Sequence, residues 1–424
     1  MKRLADAFIE HAFTVLAFAI FGLLFAMRPS TWLPTLIILV CSLWALGSAE
    51  FRTKLAASLN SNDLRYISWP LLTWFLTCLF LGLWHFGFET KALPDNALRM
   101  ALALTTFALV VHAYAKKYFL LGLVVAGFCV GLNVAFGFLI FDKYLPRISG
   151  TTNHPIHFGN FSMLLAVLLV TVALLVRTSS KSFRVVCLSS ALLACVGSVA
   201  SQSRSSVGLL LCLIPLVFII KTDSFHKWVI RCVVILFLAI SALISVSPLM
   251  QEKLRLKEAV VDIEQVAANN YQTSIGARLT MWHAAWLMFK ENPLLGIGTK
   301  NFETDFKRRV ENHEVQMGDV FHLQPHNDLL HAASSGGLLK LAAYLFLIAG
   351  PFVFFYKQYR SYKFDLDRRV FPMMGMQVVA AVFVTGLTNS NFDLQIYSTV
   401  YAVSICVLAR LSLFEINANE TSIR

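Results

Sequence analysis

Charged residues are scarce in this chain. They make up 14% of its 424 residues, whereas 57% of the residues are hydrophobic. A soluble globular domain has roughly 25% charged and about 45–50% apolar residues, and one soluble core of this size could not enclose 35 Phe and 8 Trp side chains. The composition therefore excludes a water-soluble fold, and also a collagen-like, disordered or disulfide-scaffold protein. It predicts a polytopic membrane protein.

Cysteine motifs and intramembrane carboxylates are also missing. The eight Cys lie within or at the edges of apolar runs, with no CxxC pair and no spacing typical of a zinc site. We interpret them as small buried hydrophobic residues. The apolar segments contain almost no Asp or Glu. This argues against a proton-coupled transporter, which usually needs carboxylates inside the membrane, and against Mg²⁺, which prefers oxygen ligands.

Long apolar runs are abundant. A spanning helix needs about 20 predominantly apolar residues, and on this basis the sequence predicts about twelve spans in an all-α polytopic fold. The predicted spans are residues 8–27, 32–49, 67–88, 97–115, 118–141, 158–176, 185–202, 205–220, 228–247, 337–356, 370–388 and 396–414. The chain then has three parts: spans one to nine in 1–247, a large loop with amphipathic helices in 248–336, and three spans with a short cytoplasmic tail in 337–424.

The Lys and Arg residues of the short loops predict the orientation. If the N-terminus is inside, most of them fall in inner loops, as the positive-inside rule requires. The large loop 248–336 is then on the outer, periplasmic side. Many of the Lys and Arg residues behind the net charge of +12 therefore indicate the orientation of the spans and face anionic lipid. Binding of nucleic acid is not implied.

Two helices are predicted within the large loop. The charged stretch 251–264 is compatible with an amphipathic helix. In the following run, Leu279, Trp282, Trp286 and Phe289 share one helical face. A helix with such a face is suited to lie flat in the outer membrane interface. The Pro and Gly residues of 293–298 end it.

Three cations stand at or near the outer membrane edge. Arg204 interrupts the long apolar run 185–220 at a tight turn. It either extends to the lipid headgroups or binds an anion, because its fork of donors matches phosphate oxygens. Arg278 opens the Trp-rich helix at the positive end of the helix dipole, so it requires either a loop carboxylate or an anion. Lys340 either extends to the interface or adds a third cation to the same pocket.

Histidines crowd the end of the large loop, at His313, His322, His326 and His331. Pro325 suits a helix start, which would place His326 in the first turn. The unperturbed pKa of His lets this side chain take a proton near neutral pH, although an ordinary surface role is the alternative for each residue. The pair His326 and His331 at i, i+5 has poor geometry for a shared metal ion, so no metal is predicted.

Four short motifs together resemble the O-antigen ligase family. They are Ser-Arg-Ser-Ser at 203–206, Gly-Ala-Arg-Leu-Thr-Met-Trp at 276–282, Pro-Leu-Leu-Gly-Ile-Gly at 293–298 and Pro-His-Asn at 325–327. The family pattern continues with a Gly at a fixed distance, matched by Gly337, and then Gly, Thr or Tyr. Position 342 is Ala instead, and Tyr344 lies two residues further on.

The resemblance implies transfer of a glycan from undecaprenyl diphosphate to a sugar hydroxyl of lipid A-core, which yields lipopolysaccharide. The reaction would need no metal and no cofactor, would invert the anomeric centre, and would occur at the periplasmic face of the bacterial inner membrane. Arg204 and Arg278 would stabilise the leaving diphosphate, and His326 would take the proton of the acceptor hydroxyl. The supporting candidates are Asn327, His322, Lys340 and Asp393.

Other functions remain open from the sequence. An O-antigen or exopolysaccharide polymerase uses a second carrier-linked glycan as acceptor, and a protein O-oligosaccharyltransferase is a further relative. A glycan-lipid transporter would move the substrate without bond chemistry. Transporters are expected to show repeat symmetry or broken helices at the midplane, and neither is clear in the sequence.

Overall fold

The protein is described by a computed structural model whose regular elements are helices. The structure describes residues 47, 49–109, 114–140, 147–150, 152, 154–176, 180–213, 256–268, 270–316, 324–362 and 365–413. Within these ranges there is no β-strand. The prediction of an all-α polytopic fold is confirmed.

The α-helices of this part of the chain are numbered in chain order. They are α1 (Ala49–Leu59), α2 (Arg65–Phe86), α3 (Asp95–Leu102), α4 (Thr106–Leu109), α5 (Tyr114–Ile140), α6 (Pro155–Leu175), α7 (Lys181–Ala200), α8 (Arg204–Val207), α9 (Leu256–Ala267), α10 (Ser274–Glu291), α11 (Phe302–Glu311), α12 (Asp328–Ser361), α13 (Leu366–Gly386) and α14 (Gln395–Leu413). Short 3-10 segments are Thr90–Ala92, Ala103–Thr105, Gly208–Leu213 and Asn391–Asp393.

Seven of the described helices are long and apolar enough to cross a membrane. They are α2, α5, α6, α7, α12, α13 and α14, and each corresponds to a predicted span. The predicted spans 8–27 and 228–247 lie outside the described residues, as do nearly all of 32–49 and the end of 205–220.

The predicted span 97–115 is not one continuous α-helix in its described part. It consists of α3, the 3-10 segment Ala103–Thr105 and α4. The hydroxyls of Thr105 and Thr106 donate to the carbonyls of Leu102 and Ala103, at 2.7 and 2.6 Å. Such local side-chain bonds compete with the regular helical ladder, and hydropathy alone does not reveal them.

The spanning helices differ in how much of their surface other helices cover. The apolar window of α6 is 94% buried, against 33% for α7. An all-round apolar helix is expected at the centre of a bundle, and α6 packs against α5, α7 and α13. The peripheral helices α2, α5 and α7 leave large apolar side chains exposed, as a lipid-facing surface requires. This packing holds the start of α6 close to the predicted site residues Arg204, Arg278 and His326.

Helix α12 is broken at Gly337, where φ is +62° and ψ is −156°. A continuous helix would bond the amides of Leu338 and Leu339 to the carbonyls of Ser334 and Ser335. Instead those amides donate to the carbonyls of Pro293 and Leu294, at 2.7 and 3.3 Å. The two freed carbonyls accept from Ile297 and Gly298, each at 2.9 Å. The segment 293–298 thus replaces both lost helical bonds, and no such break is predicted from the sequence.

Helices α10 and α11 share a small core of their own. Met281, Met288, Phe302 and Phe306 are buried in it. Arg309, on α11, is fully buried beside this core and forms ion pairs with three carboxylates. They are Asp305 at 2.6 Å, Glu314 at 2.7 Å and Glu291. These contacts fix α10, which carries one of the predicted site residues.

Helix α10 forms where the sequence predicts the Trp-rich helix, and it ends at Glu291 before the Pro-Gly segment. Its aromatic face is the outward one, since Trp286 is 48% exposed while Met281 and Met288 on the other face are buried. An exposed Trp-rich face is typical of a helix that lies in a membrane interface. Helix α9 overlaps the second half of the predicted helical stretch 251–264. Residues 251–255 of that stretch are outside the described chain.

Candidate functional site

A cavity of about 890 Å³ lies where the ends of several helices meet. Its walls come from the start of α6, the turn between α7 and α8, the start of α10, the residues before α12 and the turn after α13. Arg204, Arg278 and His326 all line it. These three residues are far apart in the sequence, so the fold brings the predicted diphosphate ligands and the predicted base to one cavity.

Arg204 is carried by a rigid turn. Helix α7 ends at Ala200, and Gln202 follows with a positive φ of +53°. The guanidinium of Arg147 donates to the Ser201 carbonyl at 3.1 Å. The hydroxyl of Ser205 donates to the side chain of Asn160 on α6 at 2.9 Å. The predicted tight turn is confirmed, and its backbone is held from both sides.

Arg278 is in the first turn and a half of α10. The helix begins because the Thr273 hydroxyl accepts a hydrogen bond from the Gly276 amide at 3.0 Å. Gly276 itself packs so closely on the backbone of Tyr271 that a Cβ would overlap it. Burial and the nearby Arg204 lower the pKa of Arg278, while Asp262 on α9 raises it. The two arginines are therefore close enough to repel each other.

Arg204 and Arg278, the arginine pair, have no carboxylate partner in the described chain. Within that part, no Asp or Glu forms an ion pair with either guanidinium, and none lines the cavity. Both side chains are only partly exposed. Half-buried cations that repel each other are unfavourable unless an anion compensates them. The arrangement is suited to bind a doubly charged anion such as a diphosphate.

His326 lies before α12 in a strained backbone conformation. Its φ is +51°, in the left-handed region that non-glycine residues rarely adopt. The carbonyl of Pro325 accepts a hydrogen bond from the Trp282 indole at 2.9 Å. Asn327 caps the helix, since its side chain accepts from the Leu330 amide at 3.1 Å. The prediction that His326 lies in the first helical turn is therefore wrong. Asn327 is the N-cap, and the helix begins after it.

The N-terminal ends of three helices lie at or next to this cavity. Cavity-lining residues include Ile156 and His157 at the start of α6, Ser274 and Ile275 at the start of α10, and His326 just before α12. The N-terminal end of a helix carries a partial positive charge and attracts anions. Together with the arginine pair, these ends give the cavity a positive electrostatic character.

A comparison with known protein families matches residues 188–345 to a model described as O-antigen ligase. The match covers less than half of the chain and relates this segment to the O-antigen ligase family. It contains Arg204, Arg278 and His326, so the three predicted residues lie on the matched part of the chain. The family resemblance seen in the sequence motifs is confirmed at this level.

One similar protein comes from Haemophilus influenzae and is described as an uncharacterized protein. It is 27% identical over 271 residues, which cover 62% of this chain and 64% of that protein. The aligned region thus spans less than two thirds of the relative. The likeness supports a related fold and carries no information on substrate.

Asn327 and Lys340, two predicted supporting residues of the ligase-family segment, have structural partners. The Asn327 amide donates to the carbonyl of Leu387 at 3.1 Å, in addition to capping α12. Lys340 is buried past the break in α12 and donates to the hydroxyls of Thr299 and Ser335, at 3.0 and 2.9 Å. Neither residue is part of the cavity lining, and both hold elements that position His326.

Asp393 pairs with His331 at 2.9 Å, between Oδ2 and Nε2. Burial opposes ionisation of Asp393, but His331, Lys340 and Lys300 outweigh it and hold the pKa of this carboxyl below its usual range. The pair lies beside the cavity and links α12 to the segment before α14. His322, the remaining candidate, lies outside the described residues.

Among the cavity residues with basic side chains, the sequence interpretation missed Arg147, His154 and His157. They precede or open α6, outside the ligase-family segment. A signal was present, since His154-Pro155 is a helix start with adjacent histidines, much like the Pro-His-Asn motif before α12. Only the packing of α6 against the α7–α8 turn shows that the two helix starts share one cavity.

Proposed function

We propose that this chain is an O-antigen ligase that transfers a glycan from undecaprenyl diphosphate to a sugar hydroxyl of lipid A-core in lipopolysaccharide biosynthesis. One observation carries the proposal: Arg204, Arg278 and His326 line a single cavity in which the described chain places no carboxylate. The match of residues 188–345 to the O-antigen ligase family supports it. The enzyme would be a multi-pass protein of the bacterial inner membrane, with its cavity on the periplasmic side.

The arginine pair would bind the diphosphate of the donor. Each guanidinium presents a planar fork of donors that fits phosphate oxygens, and half-buried charges are screened less than exposed ones. Negative charge grows on the diphosphate as the glycosidic bond breaks. The arginine pair and the helix N-termini are fixed in place before the reaction, so they would stabilise this charge without reorganisation.

His326 would act as the general base. The acceptor hydroxyl gives its proton to the His326 ring, and its oxygen forms a bond to the anomeric carbon. At the same time the bond from that carbon to the diphosphate oxygen breaks, and its electron pair leaves with the diphosphate. Attack from the opposite face inverts the anomeric centre. General-base assistance of this kind typically contributes about 10²–10⁴-fold.

Both substrates are lipid-anchored, and the cavity has apolar neighbours. Helix α10 carries Arg278 near its start and exposes Leu279 and Trp286 on its outward face. If this face lies in the outer membrane interface, the cavity is at the depth of lipid headgroups. The polyprenyl tail and the lipid A acyl chains would then remain in the bilayer while their polar groups enter the cavity.

Reconstitution tests the proposal directly. The purified chain in proteoliposomes is given a carrier-linked glycan together with two acceptors, lipid A-core and a second carrier-linked glycan. We expect the glycan on lipid A-core, seen as a mobility shift on a gel, with equal yield in EDTA. Growth of the carrier-linked glycan would identify a polymerase instead. Movement across the bilayer without transfer would identify a transporter.

The His326→Ala variant tests the role of the base. We expect transfer to fall by roughly 10²-fold or more, because the acceptor proton has no recipient, while affinity for undecaprenyl diphosphate stays within about twofold. His283→Ala is the matched control, since His283 is exposed on α10 and does not line the cavity. Full transfer by His326→Ala in the same assay would exclude the general-base role.

A further inference from the structure

Two histidines that the proposed transfer does not use lie in the same cavity. His154 precedes α6, and His157 is in its first turn. Their ring centroids are 5.0 Å apart, and His157 is within electrostatic reach of His326. The cavity thus has a histidine wall, formed by His154 and His157, in addition to the arginine pair.

The hydrogen bonding of His154 fixes which ring nitrogen carries the proton. The amide of Ile156 donates to Nδ1 of His154 at 3.3 Å, so a neutral ring has its hydrogen on Nε2. Burial and the nearby Arg147 lower the pKa of His154. At neutral pH this side chain is an uncharged donor at the exposed edge of the cavity.

His157 lies deeper, and its ring is held by aromatic neighbours. The Tyr397 ring packs edge-on against it at a centroid distance of 5.4 Å and an angle of 85°. Its Nδ1 is buried and has no hydrogen-bond partner among the described residues. Because Nδ1 is shielded, His157 would meet a ligand with the part of its ring that lines the cavity.

The histidine wall and the arginine pair suit different chemical groups. A guanidinium only donates hydrogen bonds, and phosphate oxygens only accept them. A neutral imidazole has one donor and one acceptor, like a sugar hydroxyl, which also does both. The amide of Asn389, which donates to Asn391 at 3.0 Å, lines the cavity as well and adds a further neutral polar group.

We propose that His154 and His157 form a sugar-binding subsite that holds hydroxyls of the first sugar of the carrier-linked glycan. This inference rests on the proposed function, because it assigns the sugar and the diphosphate of one donor to neighbouring walls of one cavity. The anomeric carbon then lies between the arginine pair and the histidine wall, within reach of an acceptor activated by His326.

The test compares binding of two probes to the full-length chain in nanodiscs. One probe is undecaprenyl diphosphate without sugar, and the other is the carrier-linked glycan isolated from membranes of the native cells. We expect His154→Ala and His157→Ala to bind the glycan-linked probe about threefold to tenfold more weakly, as for one lost hydrogen bond. The bare diphosphate should bind with unchanged affinity, and His157→Asn should recover part of the loss by restoring a polar side chain at this position of the cavity wall.

The outcomes separate this inference from the proposed function. Equal weakening of both probes, or no weakening of either, would overturn the sugar-binding subsite. A loss of turnover with unchanged affinity for both probes would also overturn it, since His157 would then act in the chemistry. If the wild-type chain binds neither probe, the proposed function itself fails. His283→Ala again serves as the control and should match the wild type.

Discussion

Arg204 and Arg278 are two half-buried cations that repel each other, and no carboxylate of the described chain forms an ion pair with either of them. Burial and Arg204 lower the pKa of Arg278, yet a guanidinium remains charged at any physiological pH. Binding of an anion would relieve this repulsion. Under the proposed function, that anion is the diphosphate of the donor.

Substitution of the arginine pair should separate charge from geometry. We expect Arg204→Ala and Arg278→Ala to reduce transfer by roughly 10²–10³-fold, as for loss of one transition-state donor. Arg204→Lys and Arg278→Lys should recover only part of this, because Lys retains the charge but has no planar fork. Initial rates at varied donor concentration measure both effects.

A control for these variants is available on α11. Arg308 is half-exposed and pairs with Asp305 at 2.7 Å, away from the cavity lining. An exposed pair of this kind contributes roughly 0–1 kcal/mol, so Arg308→Ala should transfer at the wild-type rate. Full rescue of transfer by Lys at position 278 would show that charge alone is needed there.

Residue chemistry explains which site residues could be predicted from the sequence. Arg204 and Arg278 stand out because a cation within or beside an apolar segment is unfavourable, and His326 because it crowds with other histidines near a span. Asp393 was predicted as a supporting residue of the site, and its observed partner is His331. That pairing depends on the packing of α12 against the segment before α14, which no local pattern encodes.

At the scale of elements, the break in α12 is the least regular feature of the bundle. Gly337 adopts a conformation that is essentially restricted to glycine. A Cβ there would also overlap the backbone of Leu294. The segment 293–298 and the break are therefore one structural unit, although a long loop separates them in sequence.

Gly337→Ala should destabilise this unit. We expect a loss of about 1–3 kcal/mol from backbone strain, increased by the overlap with Leu294, and so a lower midpoint of thermal unfolding in detergent. Intrinsic Trp fluorescence during heating measures it. Gly208→Ala is the control, because its Cβ would meet only Val384 at an ordinary distance of 3.6 Å. Equal midpoints for the two variants would contradict the proposed unit.

Elements were predicted well where hydropathy decides them. Seven spans and α10 follow from runs of apolar residues and from their spacing along a helix. Hydropathy did not predict the interruption between α3 and α4, which depends on hydrogen bonds of the Thr105 and Thr106 hydroxyls. It also did not predict the break at Gly337, which depends on the distant segment 293–298. Apolar content indicates that a segment is buried in lipid, and it does not determine where a helix is interrupted.

At the scale of the whole molecule, the cavity extends beyond the ligase-family segment 188–345. His154 and His157 come from before it, and Asn389 comes from after it. The central, well-covered helices α6 and α14 hold these outside contributions in place. The site is thus a property of the whole bundle, and truncation to the matched segment would remove two of its walls.

The orientation of the bundle can be tested with single cysteines on opposite sides. Beyond its break at Gly337, helix α12 continues to Ser361. At about 1.5 Å per residue this part is roughly 36 Å long, which exceeds the hydrocarbon thickness of about 30 Å. We expect a membrane-impermeant maleimide to label Glu311→Cys in intact spheroplasts. Ser361→Cys should react only after the membrane is opened.

The wild-type chain provides the background labelling from its own cysteines. Both substituted positions are exposed, so access to the reagent depends on the side of the membrane. The reverse pattern would place the cavity on the cytoplasmic side and contradict the proposed periplasmic transfer.

The exchange of hydrogen bonds at the break in α12 also bears on how the chain is made. The ribosome synthesises residues 293–298 before Gly337, so the partner segment has already emerged when the broken span enters the bilayer. Unpaired amides and carbonyls are costly in lipid, and here their replacements are available from the start. Because residues 293–298 are translated first, they are available to form hydrogen bonds with the amides and carbonyls around Gly337 when this helix inserts.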